Sequence, residues 1–82
     1  MSDSHSALLS HINRIRGQVD GIAHMIEEER DCIDVVQQIL AARSSLARVG
    51  KEFITTEAVR CSSSADSKEK LDALLKQLFT LD

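Results

Sequence analysis

The chain has 82 residues and a net charge of −3, with Phe53 and Phe79 as its only aromatics and no Trp, Tyr or Pro. Apolar content drawn from Leu, Ile, Val and Ala suits helix packing rather than a β-sandwich, and two cysteines cannot form the disulfide framework of a secreted scaffold. Residues 1–10 carry no signal-peptide pattern and no apolar run approaches the roughly 20 residues of a membrane span. The expectation is therefore a single domain, 1–82, cytoplasmic, with reduced thiols and no membrane contact. A core this small is marginal without a staple or a partner.

Leu8, Ile12, Ile15, Val19, Ile22 and Ile26 recur at alternating three- and four-residue intervals, which predicts an amphipathic helix from about Ser6 to Glu28. His5 precedes it and reads as part of a mobile tail. Within it, His11 is a polar position suited to approaching a phosphate, His24 a surface residue and Met25 core. Arg14 and Arg16 flank the apolar stripe, and Gln18 has no evident role beyond the surface. Acid is concentrated at the turn that follows, in Glu27, Glu28, Glu29, Asp31 and Asp34 against Arg30 alone.

Asp31 reads as the N-cap of a second helix, with Asp34 in its first turn. This helix is predicted to run from Cys32 to about Cys61, through Ala58 and Val59, with Gly50 its weak point. Its Ile54-Thr55-Thr56 stretch has poor helix propensity. Arg43, Arg48 and Lys51 lie on it, opposed only by Glu52. Ser62, Ser63 and Ser64 predict a loop, and Asp66 with Glu69 a capping-box-like start to a third helix. Leu71, Leu74, Leu75, Leu78 and Phe79 give that helix its apolar stripe. The fold class is all-α.

The spacing of 29 residues between Cys32 and Cys61 is informative. On one helix it is within about 20° of a whole number of turns, with the thiols on the order of 43 Å apart along the axis. A disulfide needs Cα atoms within about 7 Å, so an intact helix forbids an intrachain bridge. Pairing the helix antiparallel with its own copy, centred between Leu46 and Ala47, removes the obstacle. Cys32 then faces Cys61 of the copy, Ile39 faces Ile54, Arg43 faces Gly50 and Val36 faces Glu57, with Leu46 and Ala47 in contact at the axis. The plainer alternative is that both cysteines are small buried hydrophobes. Cys32 is the better nucleophile candidate, since a helix N-terminus favours an anion, although the acidic residues around it work the other way.

The stretches Asn13-Arg14-Ile15-Arg16-Gly17-Gln18, Asp31 to Ile39 and Ala42-Arg43-Ser44-Ser45-Leu46 resemble the CsoR/RcnR/FrmR family of bacterial repressors, from Leu8 to about Leu78. The resemblance implies a three-helix subunit with a long central helix, an antiparallel helical dimer and a disc-shaped homotetramer. It further implies repression of operator DNA relieved by an inducer, with a sensing site between subunits. It raises Arg14, Arg16, Arg43 and Arg48 to candidate DNA contacts. Copper(I)-sensing members use a cysteine, a histidine and a second cysteine at the positions of Cys32, Glu57 and Cys61. Glu57 is a departure, because a carboxylate is a hard, poor ligand for soft Cu(I). Asp31 and Gln77 depart from the copper pattern as well.

The histidines of nickel and cobalt sensors are missing, and so is the N-terminal proline of formaldehyde sensors. The resemblance is therefore read as nearest to the CstR-like branch. In that reading Cys32 and Cys61 sense reactive sulfur species such as persulfides, no metal or cofactor is bound, and sulfur-detoxification genes are derepressed. A Cu(I)-responsive repressor using the same two thiols is the alternative. A helical dimerisation or adaptor module without DNA binding, favoured by the acidic charge, is the alternative from another class. No nucleophile–base or acid–base pair suggests an enzyme.

Overall fold

The computed structural model describes residues 3–57 and 64–80, which form three helices and no strand: α1 (Asp3–Glu27), α2 (Cys32–Thr56) and α3 (Ala65–Phe79). The all-α architecture follows from the three apolar periodicities. Its boundaries differ from those expected in ways that local chemistry explains. α1 begins at Asp3, so His5 belongs to a helix and not to a tail.

α1 ends in a paired-bond turn: Arg30 N–H donates to the Met25 carbonyl at 2.9 Å and Glu29 N–H to the Ile26 carbonyl at 3.1 Å. These are the two bonds of a Schellman C-cap, and they place Glu29 in the left-handed region at φ 54°. A side chain there costs about 1–2 kcal/mol that glycine avoids. Glu29→Gly is accordingly expected to raise unfolding stability by about 1 kcal/mol, read by urea denaturation. A neutral or destabilising result would mean that the turn relaxes around the glutamate.

Asp31 occupies the N-cap position of α2 but makes no side-chain capping bond, so Asp34 in the first turn is its carboxylate contribution to the helix terminus. α2 closes at Thr56, short of the expected Cys61. The hydroxyls of Thr55 and Thr56 donate back to the carbonyls of Lys51 and Glu52 at 2.9 and 2.8 Å, a competition that weakens a helix already rich in β-branched residues. Glu57 caps it, donating its N–H to the Phe53 carbonyl. Ala58, Val59, Cys61, Ser62 and Ser63 lie outside the described residues. Ser64, rather than an Asp66–Glu69 box, caps α3: its Oγ accepts from Ser67 N–H at 3.1 Å. Asp66 sits in the first turn and pairs with Lys70 at 3.3 Å.

α1 packs along α2, with Leu8 and Ile15 meeting Val49 and Ile12 beside them. α3 packs on the C-terminal half of α2, where Gly50 explains the apparent weak point. A Cβ at Gly50 would stand 3.1 Å from Leu78 Cδ2, so its absence permits the close approach. The Lys51 ammonium lies 5.0 Å from the Phe79 ring centroid on the same contact.

The resulting shape is a slab of 48 × 28 × 15 Å with a radius of gyration of 15.7 Å. A compact domain of this length would have about 12 Å. One face of α2 is left open from Cys32 to Leu46. Toward the helix end Leu78 covers Gly50, the expected partner of Arg43 in a copy, and the Glu57 side chain is largely buried. Cys32, Val36, Ile39, Arg43, Leu46, Gly50, Phe53 and Glu57 follow one another at alternating four- and three-residue spacing, the repeat of a helix-pairing seam. Val36, Ile39 and Leu46 on it are 45–54% exposed. Ala47, expected at the pairing axis, is instead covered within the subunit at 2% exposure. Any contact at that axis therefore falls to Leu46. None of the helices among the described residues is long and apolar enough to cross a membrane.

Candidate functional site

Two places concentrate chemistry on this frame. The first is a cleft between α1 and α2, about 150 Å³ in volume, with Ile15 and Val49 as its apolar lining and His11, Arg14 and Gln18 from α1 and Ser45 and Arg48 from α2 as its polar groups. Arg14 and Arg48 are exposed, and among the described residues neither is paired with a carboxylate. Two uncompensated guanidiniums with an amide, a hydroxyl and an imidazole make a site suited to a phosphate oxygen. His11 is oriented from the side: its Nδ1 lies 3.2 Å from Glu52 Oε2. Arg16 and Arg43 do not join this cleft. Arg16 is exposed elsewhere on α1, and Arg43 stands on the open seam of α2 between Ile39 and Leu46.

Gln18 lacked a role in the sequence, and the cleft supplies one. Its signal was available only as a helical offset, since residues 11, 14 and 18 stand one turn apart on a single face of α1. That this face meets Ser45 and Arg48 depends on how the helices cross.

The second place is the end of the subunit where the start of α1 meets the end of α2. His5 Nε2 is hydrogen-bonded to Glu57 Oε1, two residues 52 apart in sequence. The Glu57 side chain is 13% exposed and the His5 ring 40%. The carboxylate is thus held inward with the ring partly open to solvent. Sequence reasoning assigned His5 no partner; the only available hint was that both ends of an antiparallel helix pair lie close together.

Cys32 is a free, exposed thiol at the first position of α2, so the reading of it as a buried hydrophobe does not hold. Glu57 is about 37 Å away along the helix axis, at 1.5 Å per residue. Cys61, the other sensing candidate, lies outside the described residues. Among those described, no group of three His, Cys, Asp or Glu side chains within one subunit is arranged to hold a metal. A site using Cys32 together with the His5–Glu57 end requires two subunits. His24, 3.7 Å from Glu27, is a surface residue as expected.

Comparison with known proteins adds the following. The family model described as metal-sensitive transcriptional repressor matches residues 4–80. The copper-sensing transcriptional repressor CsoR of Mycobacterium ulcerans is 34% identical over 79 residues, covering 96% of this chain and 68% of its own length. CsoR of Bacillus subtilis is 30% identical over 78 residues, 90% of this chain and 77% of its own. The copper-sensing transcriptional repressor RicR of Mycobacterium tuberculosis is 43% identical over 54 residues, 66% of this chain and 56% of its own. The chain thus spans between 56% and 77% of the length of these relatives. No solved structure matches the chain.

Proposed function

The chain belongs to the family of metal-sensitive transcriptional repressors, and on that premise we propose that it is a Cu(I)-responsive repressor of operator DNA. In this reading it works as an oligomer in which Cys32 of one subunit and Cys61 of another hold the metal. The observation that carries the reading is the likeness to copper-sensing repressors over nearly the whole chain, joined to an exposed Cys32 thiol that has no metal-holding donor group around it among the described residues of its own subunit. Family membership also sets aside the adaptor module and agrees with the expectation that the chain is not an enzyme.

The donor chemistry fits a soft monovalent ion. Thiolates are its preferred ligands and imidazole suits copper, whereas a carboxylate alone does not. The sequence favoured reactive sulfur over copper because Glu57 stands where copper sensors carry histidine. That objection weakens once His5 is found against Glu57, since an imidazole then stands at the same end of α2. Binding would draw the protons from the thiols and leave the oxidation state of the ion unchanged.

Repression is assigned to the cleft. Arg14 and Arg48 with Gln18 would take backbone phosphates, giving an acidic chain the local basic surface that DNA binding needs. Arg14→Ala and Arg48→Ala should each weaken operator binding and lower the slope of log affinity against log salt by about one. Mobility shift at several salt concentrations measures both. If neither substitution changes the slope, the cleft is not a phosphate site. Arg16 and Arg43 remain proposed contacts at the operator, outside the cleft.

The second reading, reactive sulfur as inducer, is favoured by the absence of a histidine on α2 itself at position 57. It makes a distinct prediction. A polysulfide donor should release the operator and leave a reductant-sensitive covalent dimer linked Cys32 to Cys61, while Cu(I) under a competing chelator leaves the complex intact. The opposite pattern supports copper.

A further inference from the structure

We propose that His11 is a third cation of the phosphate cleft, charged by a proton taken up as DNA docks, and that Glu52 is the positioning residue that makes this proton necessary. This deepens the operator reading and rests on the cleft of Arg14 and Arg48.

Imidazole and carboxylate meet here from different helices. His11 Nδ1 on α1 lies 3.2 Å from Glu52 Oε2 on α2, with the two side chains 39% and 42% exposed. A carboxylate only accepts, so Nδ1 carries the proton of that bond. His11 lines the cleft and Glu52 does not. The ring nitrogen left for the cleft is therefore Nε2. In a neutral ring whose proton is on Nδ1, Nε2 holds a lone pair, which a phosphate oxygen repels. A ring placed between a carboxylate and a phosphate must donate at both nitrogens, and only the imidazolium does so.

The surrounding charges point the same way. Around the ring stand Arg14, one turn along its own helix, and Arg48 and Glu52 on α2. Glu52 also borders the adjoining hollow, where Lys51 is the further cation. α3 packs on α2 and gives the cleft no residue. Without DNA, a third positive charge would stand against two guanidiniums with one carboxylate to offset it. A seated phosphate adds the negative charge that favours it. The proton comes from solvent, and the only covalent bond formed is N–H. Binding that takes up a proton tightens as pH falls through the ordinary histidine range, about pH 6.5, and is weakest above it.

The test is fluorescence anisotropy from about pH 8 to about pH 6, spanning that range. Two labelled duplexes are used, one from upstream of the protein's own gene and one of unrelated sequence, since phosphate contacts do not depend on the bases. Wild type should bind about 5- to 10-fold more tightly at the lower pH for each cleft engaged, the effect of one charge-assisted contact, with a steeper salt slope. His11→Gln, neutral throughout, should lose that gain. His11→Arg, charged throughout, should hold the low-pH affinity of wild type across the range. Glu52→Gln lets a neutral ring donate through Nε2, so the gain should shrink, whereas a merely structural pair would leave it intact. Far-ultraviolet circular dichroism confirms that the helices persist in each variant. A pH gain as large in His11→Gln as in wild type overturns the inference and leaves the cleft standing. Arg14→Ala and Arg48→Ala with unchanged salt slopes remove the cleft itself, and the inference with it.

Discussion

Cys32→Ser is expected to keep operator affinity within about twofold of wild type, the scale of an exposed substitution away from the contact surface, and to abolish release by the inducer. Cys32 lies at the acidic end of the slab, on a different part of α2 from the cleft of Arg14 and Arg48. Its loss should therefore leave the phosphate contacts alone. What disappears is the coupling between inducer and operator. For a hundredfold loss of DNA affinity on induction, that coupling is about 2.7 kcal/mol.

Cys61→Ser should behave identically, and the two variants together make a sharper test. In an antiparallel pair each site takes Cys32 from one subunit and Cys61 from the other. A hybrid of a Cys32→Ser subunit with a Cys61→Ser subunit has one site lacking both thiols and one site fully intact. Mixing two unresponsive variants in equal amounts makes about half of the pairs hybrids, so it should restore about a quarter of the copper-binding sites and part of the response. Fluorescence anisotropy on labelled operator, with the refolded mixture against each variant alone, measures it. If the mixture is as unresponsive as its components, the thiols do not act across subunits.

Leu46→Glu should dissolve the assembly and with it operator binding. Leu46 is 54% exposed in the isolated subunit, so the subunit's own packing makes little use of it. It sits at the centre of the open seam and beside the apolar groove of about 570 Å³ formed with Leu8, Leu9, Ile12 and Phe53. At the centre of a two-fold pairing every substitution counts twice. Each copy loses the burial of a leucine, about 1.5–3 kcal/mol, and the two new carboxylates face one another in a site that excludes water. Light scattering should report a 9.1 kDa particle, or an unfolded chain. Leu46→Met, which keeps volume and apolarity, should assemble normally. A Leu46→Glu protein of unchanged mass would show that the seam is not an interface.

Much of the subunit was readable from spacing alone. The three- and four-residue intervals of Leu8 to Ile26 and of Leu71 to Phe79 require helices, because only that geometry puts those side chains on one face. Helix ends were less legible. They depend on single hydroxyls and amides: Ser64 taking Ser67 N–H, or Thr55 and Thr56 turning back on Lys51 and Glu52. Several residue types can play those parts with similar energies.

The candidate sites divide along the same line. Cys32 at the head of α2 and the arginines as cations are local facts, fixed by residue identity and helix periodicity. That Arg14 and Arg48 share one cleft while Arg16 and Arg43 stay outside it is a matter of packing. So are the meeting of His5 with Glu57 and the disappearance of Ala47 from the surface. Each of these follows from the angle and depth at which Leu8 and Ile15 seat α1 on Val49 and at which Leu78 closes on Gly50. Helical periodicity assigns a residue to a face, but which faces meet is decided by the summed fit of side chains distant in sequence.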